Sequence, residues 1–206
     1  ADPAIWVDDE LVTAVVSEPA DFVWLERRSG WFYLSSVAKN AVASRVAKVL
    51  AACGAVRLSD LHAGIRRDER MRAFVMPEYI LAELCERLPG VRVDGDVVAA
   101  DPPLAAEDVL EGAELLLVHA LANAGGEAGR PELEAACLAA GVRSSSFNNR
   151  IAYSPVVADL GHNRYGLRGL RDGGHPHADP SAGEDAAAQD ESRLGVLAAS
   201  RPPRRR

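Results

Sequence analysis

The chain has 206 residues, 48% of them hydrophobic, and a formal net charge of −7. That is enough apolar content for one core or for two or three small ones, while the acidic balance excludes a protein whose whole surface grips nucleic acid. No apolar run reaches the roughly 20 residues of a membrane helix, and the opening Ala1-Asp2-Pro3, without a basic start or an apolar block, does not read as a secretory signal.

The first segment carries Asp8 or Asp9 as a cap for a helix reaching about Ser17, then Pro19. Two apolar runs follow around Arg27-Arg-Ser-Gly30: Phe22-Val-Trp-Leu-Glu26 and Trp31-Phe-Tyr-Leu34. This reads as a helix and a hairpin. Two helices expected before them have no counterpart and the chain lacks an initiator Met, so residues 1–36 are expected to be the C-terminal remnant of a unit in a longer protein.

A second unit is expected over 37–101. Val42, Val46, Val49 and Leu50 recur at helical spacing, and Gly54 closes that helix. Val56-Arg-Leu58 reads as a short strand, with Ser59 or Asp60 capping a brief helix that holds Leu61 and Ile65. The run Arg66-Arg-Asp-Glu-Arg70-Met-Arg72 has interleaved charges and reads as a solvated segment rather than a phosphate clamp. Pro77 opens a helix to Leu88, and Asp94-Gly95 reads as the two-residue turn of a Val-rich hairpin.

Asp101-Pro-Pro103 marks a linker, and a third unit is expected over 104–170. Leu115, Leu116, Val118 and Leu121 form the apolar face of its first helix, and Gly125-Gly126 breaks it. Pro131–Ala140 is the second helix, closed by Gly141, and a Ser cap at 144 or 145 starts the third. Tyr153-Ser-Pro-Val-Val157 and Arg164-Tyr-Gly-Leu167 flank a turn. From Arg171 no aromatic residue follows, and the composition predicts a disordered tail over 171–206, ending in Arg201-Pro-Pro-Arg-Arg-Arg206.

A helix followed by a tight hairpin, three times over, predicts a mainly α fold with small β-hairpin wings (α+β), built as tandem winged helix-turn-helix units. Residues 141–170 carry four Arg against Asp159, the one stretch with a clearly positive sign. On the third helix Phe147 and Ile151 face inward, leaving Ser145, Ser146, Asn148 and Asn149 outward or flanking. Ser and Asn bond neutral base edges; Arg143, Arg150 and Arg164 suit phosphates, and His162 lies in a small basic wing tip that fits a minor groove. The third helices of the other units are acidic (Asp8, Asp9 and Glu10; Glu78, Glu83 and Glu86) and are expected to repel phosphates.

Chemistry-bearing patterns are sparse. Cys53, Cys85 and Cys137 form no close pairs and read as buried thiols in a reducing cytosol. The glycines at 125–129 lack a phosphate-loop Lys, Ser144–Ser146 lack a nucleophile-elbow setting, and His175 and His177 fall in the tail. His62 and His119 stand alone on helices. The expectation is a non-enzyme with no cofactor and no metal.

Val142-Arg-Ser-Ser-Ser-Phe147, Tyr153-Ser-Pro-Val-Val157 and Arg164-Tyr-Gly-Leu-Arg-Gly169 resemble winged-helix domains of the HARE-HTH and sigma-factor-region-4-like kind from actinobacterial proteins. The resemblance covers 104–170 closely and 37–100 loosely. It implies DNA binding or attachment to transcription and DNA-modifying machinery, without catalysis by these domains; the expected location is the bacterial cytoplasm, on the nucleoid if the protein binds DNA. The implied partners are duplex DNA, RNA polymerase or an attached domain of a longer protein, with Arg143, Arg150 and Arg164 in the helix and wing that make contact. The competing expectation is a protein-interaction scaffold, favoured if the aromatic hairpin Trp24, Trp31, Phe32 and Tyr33 exposes half of its surface.

Overall fold

Alternation of large apolar residues makes the first hairpin: β1 (Phe22–Glu26) pairs antiparallel with β2 (Trp31–Leu34), with Trp24 opposite Phe32 and a bulge before Glu26. A computed structural model describes residues 21–37, 40–73 and 76–169. The expected helix from Asp8 to Ser17 and the tail beyond 170 lie outside these residues. The hairpin has two unlike faces. Leu25 is buried, with Trp31 and Tyr33 packed on the core, whereas the rings of Phe22, Trp24 and Phe32 cluster together with centroids 4.6 to 6.0 Å apart.

Helix α1 (Ala41–Cys53) begins where the side-chain Oδ1 of Asn40 accepts the backbone amides of Val42 and Ala43, at 2.9 and 3.1 Å. It ends at Gly54, whose φ of 73° is left-handed. Its buried stripe includes Val42, Val46, Val49 and Leu50. Then come β3 (Ala55–Arg57), α2 (Leu58–Arg67), a 3-10 turn (Glu69–Met71), α3 (Glu78–Arg87), β4 (Val91–Asp94) and β5 (Val97–Ala100).

Three local expectations shift here. The strand stops at Arg57, because the Leu58 amide donates to Asp96 O at 2.7 Å and the chain turns directly into α2. Ser59 and Asp60 therefore lie inside the first turn and cap nothing; Arg57 holds the cap position without a side-chain bond. The hairpin loop is Gly95-Asp96 rather than Asp94-Gly95, since Asp94 already pairs with Val97 and Gly95 takes the left-handed φ of 60°.

After the 101–105 linker come α4 (Ala106–Val109), α5 (Gly112–Asn123), β6 (Glu127–Gly129), α6 (Arg130–Ala139), α7 (Ser144–Tyr153), β7 (Val157–Asp159) and β8 (Arg164–Leu167). The inward stripe of α5 is Glu114, Leu117, Val118 and Leu121, so Leu115 and Leu116 sit at its margins, only partly buried. A carboxylate heading an apolar stripe disguised its phase. Ser144 and Ser145 are already helical, and Arg143 occupies the cap position without a side-chain bond; the Ser144 hydroxyl donates instead to Glu134 of α6 at 3.3 Å.

Among the described residues the fold is thus α+β, with seven α-helices, one two-stranded sheet and two three-stranded sheets. Residues 41–100 and 112–167 repeat one element order, helix–strand–helix–helix–strand–strand. Their sheets share one pattern, β3-β5-β4 and β6-β8-β7, with the second hairpin strand central in both.

The two repeats are joined by buried polar contacts. Glu114 is 1% exposed and takes Lys48 Nζ at 2.6 Å and the Ser154 hydroxyl at 2.7 Å. Arg168, also buried, donates to Val157 O at 3.1 Å and to Asp60 O of the first repeat at 3.3 Å. Gly64 on α2 lies so close to Pro155 that a Cβ would meet Pro155 O at 2.6 Å. The arginine-rich run is anchored rather than merely solvated. Asp68 is held by Arg45 at 2.9 Å, Met71 is buried, and Arg67 donates to Ile151 O at 2.8 Å.

Candidate nucleic-acid interface

Helix α7 owes its orientation to Phe147 and Ile151, both 1% exposed, which turn the rest of its surface outward. Arg143, Ser145, Asn148 and Asn149 are exposed, and Ser146 and Arg150 are half-buried on its flank. Ser145, Ser146, Asn149 and Arg150 line one wall of an open cleft of about 520 Å³, opposite the start of α5 at Glu111, Gly112 and Ala113. Hydroxyl, amide and guanidinium donors therefore converge on one concave surface with a single carboxylate, Glu111, on its rim.

The turn between β7 and β8 stands beside the same helix. His162 and Asn163 both adopt left-handed backbone conformations, at φ 52° and 60°, after Gly161 at 75°. This tight tip exposes His162, Asn163 and Arg164. It is fastened to α7 by Arg130, a residue the sequence reading passed over. The Arg130 amide donates to Asn163 O at 2.8 Å, and its guanidinium donates to Asn148 Oδ1 at 2.7 Å while lying 6.0 Å from the Phe147 ring centroid. The only sequence signal was its place beside Pro131 at a helix start.

Not every expected contact residue is equally available. Arg164 pairs with Glu127 at 2.5 Å, and Asn148 gives its carbonyl oxygen to Arg130, keeping its amide N–H groups for other partners. Arg143, Ser145, Asn149 and His162 are exposed, and Arg150 borders the cleft. Arg168, counted among the basic residues of this stretch, is withdrawn into the contact between repeats.

The acidic third helix of the first repeat differs in kind. Glu83 pairs with Arg87 at 2.5 Å, and Glu78 lies 3.7 Å from His62, whose other ring nitrogen bonds Met76 O at 2.6 Å. His119 pairs with Glu107 at 3.0 Å. The bond to His119 and one from the Glu107 backbone hold the Glu107 carboxyl below its ordinary range, the backbone bond having the larger effect. Among the described residues no three His, Cys, Asp or Glu side chains gather as a metal site would require. Burial pushes the thiols of Cys53 and Cys85 up to about 12, and that of Cys137 up as well.

Comparison with known proteins found no matching family model, no matching curated protein and no matching solved structure.

Proposed function

We propose that the two repeats are tandem winged helix-turn-helix units and that the second docks on duplex DNA as part of a non-catalytic, transcription-associated regulatory protein. The observation that carries this reading is the polar outward face of α7 with the 161–164 turn fastened beside it through Arg130. In this pose Ser145 and Asn149 meet base edges, the amide group of Asn148 flanks them, and Arg143 and Arg150 meet phosphates. His162 and Arg164 follow the backbone from the turn. The shared element order and sheet order of the two repeats support the winged-helix assignment. Glu111, Glu127 and Glu134 lie close by, so affinity for random sequence falls in the micromolar range or weaker, about 10⁻⁴ to 10⁻⁶ M.

Fluorescence anisotropy of a labelled random duplex titrated with the whole chain tests this. Binding should weaken steeply with salt and drop at least tenfold in an Arg143→Glu/Arg150→Glu variant. Equal binding by that variant, or none by the native chain at low salt, sinks the reading.

A second reading is favoured by one observation: Phe22, Trp24 and Phe32 cluster away from the core, and Phe32 is 43% exposed. This is the face a protein scaffold would present to a partner such as RNA polymerase. Co-sedimentation with purified bacterial polymerase that is lost in Phe32→Ser supports it, and absence of co-sedimentation removes it.

A further inference from the structure

The arginine-rich run at 66–72 belongs to the first repeat, yet one of its anchors lies on the second. Arg67 donates to Ile151 O, in the last turn of α7. A guanidinium there also complements the negative end of the helix dipole. Arg66 adjoins Arg67 and Arg150 adjoins Ile151, each about 3.8 Å along the chain from its neighbour. The contact therefore brings the backbone at Arg66 near the C-terminal end of α7, the end nearer Arg150 and opposite Arg143.

The acids of the run do not cancel its charge equally. Asp68 turns inward, taking Arg45 at 2.9 Å and the Arg70 amide at 2.9 Å. Met71 is buried and holds the 3-10 turn to the core. Arg66, Arg70 and Arg72 are left exposed, with Glu69 as the one exposed acid among them. None of the three has an ion-pair partner among the described residues. Their position relative to α7 is set by more than one contact, since Lys48–Glu114–Ser154, Arg168–Asp60 and the Gly64–Pro155 approach all join the same two repeats.

We infer that Arg66, Arg70 and Arg72 extend the phosphate-contacting surface of α7 across the boundary between the repeats, so that one duplex is held by both. This rests on the docking reading above and adds to it the partner's footprint: the first repeat contributes charge without inserting a helix. The acidic α3, the third helix of that repeat, stays off the duplex, and the repeat's arginine turn reaches the backbone instead.

The test uses the whole chain and a labelled 30-base-pair random duplex, titrated at several salt concentrations. Arg66→Ala/Arg70→Ala/Arg72→Ala should lose about tenfold or more in affinity at low salt, with a log–log salt slope shallower by about 2.7, or 0.9 per lost phosphate. The matching triple Lys variant should keep the native slope, separating charge from fold, and thermal midpoints of both should match the native chain. A triple Ala variant with the native slope, beside an Arg143→Glu/Arg150→Glu variant that loses binding, overturns this inference and leaves the docking reading intact. No duplex binding by the native chain overturns both.

Discussion

Lys48 extends from one repeat to within 2.6 Å of the Glu114 carboxylate in the other, and that carboxylate is 1% exposed. Ser154 supplies a second donor at 2.7 Å. A buried carboxylate survives only with such partners, because its desolvation costs several kcal/mol. The pair ties the two repeats together at a buried point.

Lys48→Met should therefore destabilise the chain by about 2–4 kcal/mol, since it strands the buried charge. Lys48→Met/Glu114→Met should recover most of that loss. Urea denaturation followed by circular dichroism decides it: a single variant within about 0.5 kcal/mol of native would show that the pair contributes nothing.

Gly64→Ala should lower stability by about 1–3 kcal/mol, because the added Cβ meets Pro155 O at 2.6 Å and Arg168 Cδ at 2.9 Å. Backbone atoms on one side leave little room to give. A thermal midpoint unchanged in this variant contradicts the close approach of the repeats.

Burial raises the Cys53 and Cys85 thiols from 9.0 to about 12. Both stay protonated in the fold at pH values where the unfolded chain ionises them. Their contribution to stability is present below about pH 9 and lost as pH rises towards 12. Native thiols should react with a disulfide reagent at pH 8 far more slowly than those of the urea-unfolded chain. The thermal midpoint should fall between pH 9 and 11, and fall less in Cys85→Ala. Equal reactivity in native and unfolded chains refutes the burial.

Asn149→Asp on the outward face of α7 should leave stability within about 0.5 kcal/mol of native, as exposed substitutions do. Duplex affinity should fall severalfold, since a carboxylate would face the phosphates. Anisotropy and a thermal melt on the same sample separate the two effects; unchanged affinity removes Asn149 from the interface.

The inward positions of α7 were legible from Phe147 and Ile151 alone, and the α1 stripe from its valines, because helical period and apolar spacing are local properties. Gly54 and Gly141 announced helix ends for the same reason. The stripe of α5 was not legible, since Glu114 heads it and a carboxylate signals an exposed face until its partner is known. Arg130 was missed because its roles depend on Asn148 and Asn163, neither near it in sequence.

By itself the sequence determined five of the longer helices from 41 to 153, α1, α3, α5, α6 and α7, the paired strands of the hairpins and which face of α7 turns outward, all consequences of periodicity and turn chemistry between near neighbours, whereas α4 and β6 went unread. Tertiary structure decided which charges remain on the surface. Arg168 and Asp68 are drawn inward and Arg164 is paired, while Arg66, Arg70 and Arg72 are left outside. A charge acts on a partner only from where long-range packing leaves it, and contacts such as Lys48–Glu114 and Arg67–Ile151 span 66 and 84 residues of chain.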